Sequence, residues 1–89
     1  MERVEYELIR ITKNNNGKLD YLNNILDEPE NVGIYKDEMT VLLNTPKEVV
    51  LSVRYDSIPF VMEIFRNETE MYNLDYDIMT PSQYSAIYN

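Results

Sequence analysis

The stretch from Lys47 to Phe65 constrains the fold more than any other part of the chain. Val49, Leu51, Val53 and Tyr55 alternate with Glu48, Val50, Ser52 and Arg54, which gives one apolar and one mixed face at the two-residue period of a β-strand. Directly after it, Asp56 or Ser57 is placed to cap a helix with Pro59 in its first turn, and Phe60, Ile64 and Phe65 recur at helical spacing. A half-buried strand is therefore expected to run straight into a helix.

Other elements fall into place around that unit. Val4, Tyr6 and Leu8 alternate with Glu5 and Glu7, and Ile9 and Ile11 then continue on the opposite phase. This is a strand, and its phase change fits either a β-bulge or burial on both faces, as in a central strand. Asn14 to Gly17 reads as a turn, since Asn and Gly tolerate positive φ. Leu19, Leu22, Ile25 and Leu26 then share one face of a short amphipathic helix that Pro29 ends. Val32 to Lys36 is a candidate extended piece, after which Met39, Val41 and Leu43 resume a strand-like alternation. Asn44-Thr45-Pro46-Lys47 reads as the turn of a hairpin. The second helix ends somewhere between Asn67 and Asn73, Tyr76 and Ile78 mark a last short strand, and Thr80-Pro81-Ser82-Gln83 matches a capping box opening a helical turn over 81–88.

The order strand, helix, strand hairpin, helix, strand predicts an α+β domain spanning 1–89. It is a ferredoxin-like sandwich, β-α-β-β-α-β, with two helices on one face of an antiparallel sheet and a short C-terminal helical turn. The first strand and Lys47 to Tyr55 are then central. A helix-flanked meander in which Val32 to Lys36 is a full strand, or a partly open barrel, are the competing architectures.

Composition removes whole classes of chemistry. The 89 residues include no histidine and no cysteine. The usual general base, thiol nucleophile, disulfide and transition-metal ligands are therefore missing. Glycine occurs only at positions 17 and 33, so no Gly-rich phosphate loop is present. Asp27, Glu28, Glu30 and Asn31 resemble a calcium loop superficially, but Pro29 and Val32 occupy positions where that loop needs an oxygen ligand and a glycine. Asp75 and Asp77 share a strand face, the spacing that paired catalytic carboxylates would use, but a solvated strand face is much the simpler reading. No catalytic, cofactor-binding or metal-binding residue is assigned, and the expectation is that the protein is not an enzyme. The Met1 start lacks a secretory pattern and no apolar run approaches a membrane span, which leads to a cytoplasmic expectation.

Charge carries the remaining signal. Sixteen acids against eight bases give a net charge of −8, which repels nucleic acid and anionic membrane. Residues 19–38 hold six acids and one base and residues 55–89 hold a net −5, while 1–18 and 39–54 are each +1. Eight tyrosines accompany these blocks; Tyr6 and Tyr55 continue apolar strand faces and read as structural, whereas Tyr72, Tyr76, Tyr84 and Tyr88 lie in or beside the acidic C-terminal block. Tyrosine beside carboxylate is common at protein interfaces.

The candidate function is a protein-binding inhibitor whose clustered acids imitate a nucleic acid and occupy the basic groove of a nucleic-acid-processing partner. Small acidic inhibitors of phages and other mobile elements, including anti-restriction and anti-CRISPR proteins, share this composition. The alternative is a cytosolic regulatory or small-ligand-binding module acting as a homo-oligomer, and a homodimer is compatible with either. For the inhibitor, the expected partner-binding residues are Asp27, Glu28 and Glu30 after the first helix, Glu68 and Glu70 after the second, and Asp75, Tyr72 and Tyr76 beside them. In the ferredoxin-like fold the two helices are expected to run roughly parallel, so that both connections lie at one end of the molecule and form one acidic face, extended by Asp75 and flanked by Tyr72 and Tyr76. Acids at helix C-termini oppose the macrodipole, so helix stability does not account for them.

Overall fold

The structure, a computed structural model, describes residues 5–13, 19–70 and 76–88. The Asn14 to Gly17 turn and two expected binding residues, Tyr72 and Asp75, lie outside the described residues. The elements follow in the order β1 (Tyr6–Thr12), α1 (Leu19–Asp27), a 3-10 helix (Pro29–Val32), β2 (Met39–Asn44), β3 (Glu48–Arg54), a 3-10 turn (Tyr55–Ser57), α2 (Ile58–Thr69), β4 (Tyr76–Met79) and α3 (Pro81–Tyr88). The four strands form one antiparallel sheet in the order β2-β3-β1-β4.

Register decides which side chains meet. Ile9 lies across from Leu51 and Ile11 from Val49, while Met39 and Val41 lie across from Val53 and Leu51 on the other flank of β3. Partners directly opposite share a face, so these residues make one apolar surface. Against it pack Leu22, Ile25 and Leu26 from α1 and Ile58, Val61, Met62 and Phe65 from α2, all in one buried cluster with the strand residues. The expected alternation of β3 is therefore what the core is built on. In β1 the second phase, Ile9 and Ile11, is the buried one; its pairing with β3 is continuous, with no bulge.

The opposite face is also partly covered. Val50 is fully buried there and Met79, which pairs with Leu8, is nearly so. The capping box forms as expected: Thr80 Oγ1 accepts from the Gln83 amide at 3.1 Å and Gln83 Oε1 from the Thr80 amide at 2.9 Å. The helix it opens reaches the second face through Tyr88, whose hydroxyl donates to Glu48 Oε1 at 2.8 Å and stands beside Arg10. Tyr84 and Tyr88 pack with ring centres 5.0 Å apart.

Several local expectations are corrected. Val32 to Lys36 is not a strand: Pro29–Val32 is a 3-10 helix closed by Gly33 at φ 87°, and turns follow up to β2. Proline starts that turn and glycine ends it in the left-handed region, so the chain curls back instead of extending. In β2 the register shifts between Val41 and Leu43, which moves Leu43 to the second face, opposite Val50, and breaks the Met39-Val41-Leu43 alternation. Ser57 precedes α2 but makes no side-chain cap; its hydroxyl donates instead to Glu38 Oε2 at 3.2 Å. Tyr6 and Tyr55 are not core residues, being 47% and 63% exposed.

The largest correction concerns the helix directions. The connection after α1 delivers the chain to the sheet end where Met39 meets Val53, while that after α2 delivers it to the end where Tyr76 meets Ile11, the partner of Val49. These are opposite ends of β3. The two helices therefore run in opposite senses, and the acids that follow them do not share one end of the sheet.

Two outcomes test this architecture. Leu51→Ala should cost about 2–5 kcal/mol, since it empties the middle of the strand on which both helices rest; a thermal melt unchanged within error would remove β3 from the core. Burial, followed by the bond to Glu48, raises the Tyr88 pKa above its ordinary value. The neutral form is thus favoured in the folded chain, and the unfolded chain loses its proton first as pH rises. The contribution of Tyr88 should be complete below the ordinary tyrosine range and fade as pH rises through the folded value. Tyr88→Phe should remove that alkaline decline from urea midpoints measured across pH, and an identical profile in the variant would exclude the contact.

Candidate functional site

A cleft of about 250 Å³ opens on the helix layer, lined by Tyr21, Asn24, Ile25 and Glu28 of the α1 stretch, Asn31 and Val32 of the 3-10 helix, and Glu68 of α2. Its composition follows from the amphipathic pattern of α1. Tyr21, Asn24, Ile25 and Glu28 are three or four residues apart, so they form one stripe along the helix. Ile25 is buried at its apolar base, the two asparagines offer amide donors and acceptors, and two exposed carboxylates stand at its border. The 3-10 helix holds one of these in place, since Asn31 Nδ2 donates to Glu28 Oε2 at 2.6 Å. Glu68 has no ion-pair partner among the described residues. The site suits a cation with an aliphatic stem: apolar base, amide walls and acidic rim match the three parts of such a group.

The expected binding residues are thus divided. Glu28 and Glu68, from the two acidic blocks, both line this cleft, although the connections they introduce feed opposite sheet ends. Asp27 ends α1 and Glu30 lies within the 3-10 helix, both exposed. Glu70 ends α2 in a left-handed conformation, φ 57°. Tyr76 is half-buried and packed against the core, which makes it a structural residue of β4. Asp77, the other member of the carboxylate pair weighed for catalysis, is exposed and 3.4 Å from Arg10. Among the described residues no group of three or more acidic side chains is placed to hold a metal ion, and no helix is long and apolar enough to cross a membrane.

Charge is segregated between the two sides of the molecule. Among the described residues of α1, α2 and the residue following each, Asp20, Asp27, Glu28, Glu63, Glu68 and Glu70 are exposed carboxylates, and the single base is the half-buried Arg66. On the sheet side the two arginines are matched: Arg10 by Asp77, and Arg54 by Asp56 at 2.9 Å and Asp37 at 3.8 Å. Lys13 is likewise engaged, donating to Asn23 at 3.2 Å and to Asn44, and partial burial lowers its pKa.

Residues that sequence reasoning missed lie at the sheet end where β2 starts. Tyr6, Tyr35 and Tyr55 are 47%, 59% and 63% exposed there. The available signal for Tyr6 and Tyr55 was their position at the boundary of a strand, where a side chain continuing the apolar alternation runs past the last covering helix; Tyr35, ahead of β2, carried no such signal.

No family model, curated protein or solved structure matches the chain.

The left-handed Glu70 supplies a test of local preference. Glycine takes this conformation without the Cβ penalty and carries no charge against the helix dipole. Glu70→Gly should raise stability by about 1 kcal/mol in urea unfolding. A lower midpoint would show that the glutamate is there for the fold.

Proposed function

We propose that this protein is a small acidic inhibitor, built on a ferredoxin-like sandwich, that occupies the basic groove of a nucleic-acid-processing protein. The observation that carries the reading is the charge of the helix layer, which presents six exposed carboxylates, two of them lining the cleft, and one half-buried base. Such a surface makes the local potential strongly negative. It steers a basic partner during diffusion and discourages acidic ones. The strand order β2-β3-β1-β4 and the two helices over one sheet face agree with the ferredoxin-like layout.

Docking would be centred on the cleft, where Glu28 and Glu68 bracket an apolar base able to accept the stem of a partner lysine or arginine. The cleft also supports a second reading, in which a small cationic molecule occupies it and the protein is a ligand-binding module.

Affinity capture from a lysate followed by mass spectrometry separates the two. The inhibitor reading expects a nucleic-acid-processing protein whose retention falls steeply between low and physiological salt. Glu28→Lys with Glu68→Lys should lower that affinity by at least about tenfold, mainly through slower association, at unchanged melting temperature. Retained affinity with an unaltered salt dependence would be falsifying evidence. A metabolic enzyme, or no protein at all, would favour the module.

A further inference from the structure

The end of the sheet away from the β2-β3 hairpin is organised around Arg54. Its amide donates to the Glu38 carbonyl at 2.7 Å, and its guanidinium is held by Asp56 at 2.9 Å and Asp37 at 3.8 Å. Tyr6 lies directly across from it in the sheet and donates its hydroxyl to the Asp37 carbonyl at 2.7 Å. Tyr55 follows Arg54 and is tied by its amide to the Glu5 carbonyl at 2.9 Å. Tyr35 accepts through its carbonyl from the amides of Glu38 and Met39, which fixes it to the start of β2. Three strand ends are thereby knitted together, and each carries an exposed tyrosine.

Packing does not explain these rings. Tyr35 and Tyr55 expose about three-fifths of their surface, and their hydroxyls donate to no group among the described residues. Exposed aromatic surface held on a rigid frame is what a binding site offers when it must add contact area at small entropic cost. The carboxylates at this end are also available. Asp37 and Asp56 are 69% and 65% exposed while the arginine they share is 35% exposed, so each turns one edge inward and leaves acceptor capacity facing outward.

We infer that this end is a second docking surface, for an arginine-bearing segment of a protein partner. Arginine is the side chain that uses both components, since its planar guanidinium stacks on an aromatic face and pairs with a carboxylate through its edge. Arg54 already occupies the inner side of the same two carboxylates. Lysine would gain the charge but not the stacking. Nucleic acid is repelled by the −8 chain, and a second copy would set Asp37 and Asp56 against their own kind. The surface is distinct from the helix-layer cleft and does not depend on it.

The probe is a short synthetic peptide of alternating Gly and Arg, compared with its Gly-Lys counterpart, each titrated into the isotope-labelled protein by NMR. Shifts should centre on Tyr6, Tyr35, Asp37, Tyr55 and Asp56, with the arginine peptide bound about tenfold more tightly. Tyr35→Ala with Tyr55→Ala changes two exposed side chains, so the melting temperature should hold while the preference for arginine disappears. Glu28→Lys with Glu68→Lys should leave that preference intact. Equal affinity for the two peptides, shifts centred on the α1 cleft, an arginine preference that survives the double tyrosine variant, or a concentration-dependent dimer lost in that variant would each overturn the proposal.

Discussion

Antiparallel pairing of β1 with β3 is the constraint from which the rest of this structure follows. With Ile9 opposite Leu51 and Ile11 opposite Val49, the two central strands present one continuous apolar surface, and both helices bury their own apolar faces on it. A slip of β1 by one residue would turn Ile9 and Ile11 to the other face and put Arg10 beneath the helices. Burial on this side strongly specifies the register. The second face needs less cover because, among the described residues, only Val50 and Met79 are buried there, and one short helix anchored by Tyr88 reaches it.

What the sequence made legible was local. The β3 alternation, the strand-to-helix junction, the Asn44 to Lys47 hairpin and the Thr80 capping box each depend on residues a few positions apart, and each forms. What it left hidden depended on partners distant in sequence. Ser57 has the composition of a cap, but Glu38, nineteen residues earlier, takes its hydroxyl. Leu43 fits the β2 alternation until the bulge against β3 turns it over. Tyr6 and Tyr55 continue apolar patterns past the point where helices cover the sheet, and periodicity holds no information on where that cover stops. The acidic blocks were plain as composition, while the cleft that Glu28 and Glu68 both line came from helix packing.

Ion pairing gives the charge distribution its meaning. Exposed pairs such as Arg10 with Asp77 contribute little to stability, so their importance here is what they do to the field. By pairing the sheet-side arginines with nearby acids, the fold leaves the helix layer rich in exposed carboxylates and poor in bases among the described residues. A net charge of −8 spread evenly would oppose compaction everywhere. Concentrating it over two short helices directs the same charge toward one approach path.

The two surfaces then divide the work of recognition in physical terms. Long-range charge acts on encounter and is screened within about 10 Å at moderate salt, so the helix layer governs how often and in what orientation a basic partner arrives. Contact area acts after arrival. The tyrosines at the β2 end are held by backbone hydrogen bonds from three strand ends, which leaves little freedom to lose on binding and favours slow dissociation. A partner that touched only the helix layer would bind quickly and release quickly. Reaching the tyrosine end as well requires wrapping from the helices around the edge of the sheet, and Asp27 at the end of α1 with Glu28 and Glu30 on the chain between α1 and Tyr35 stand along that route.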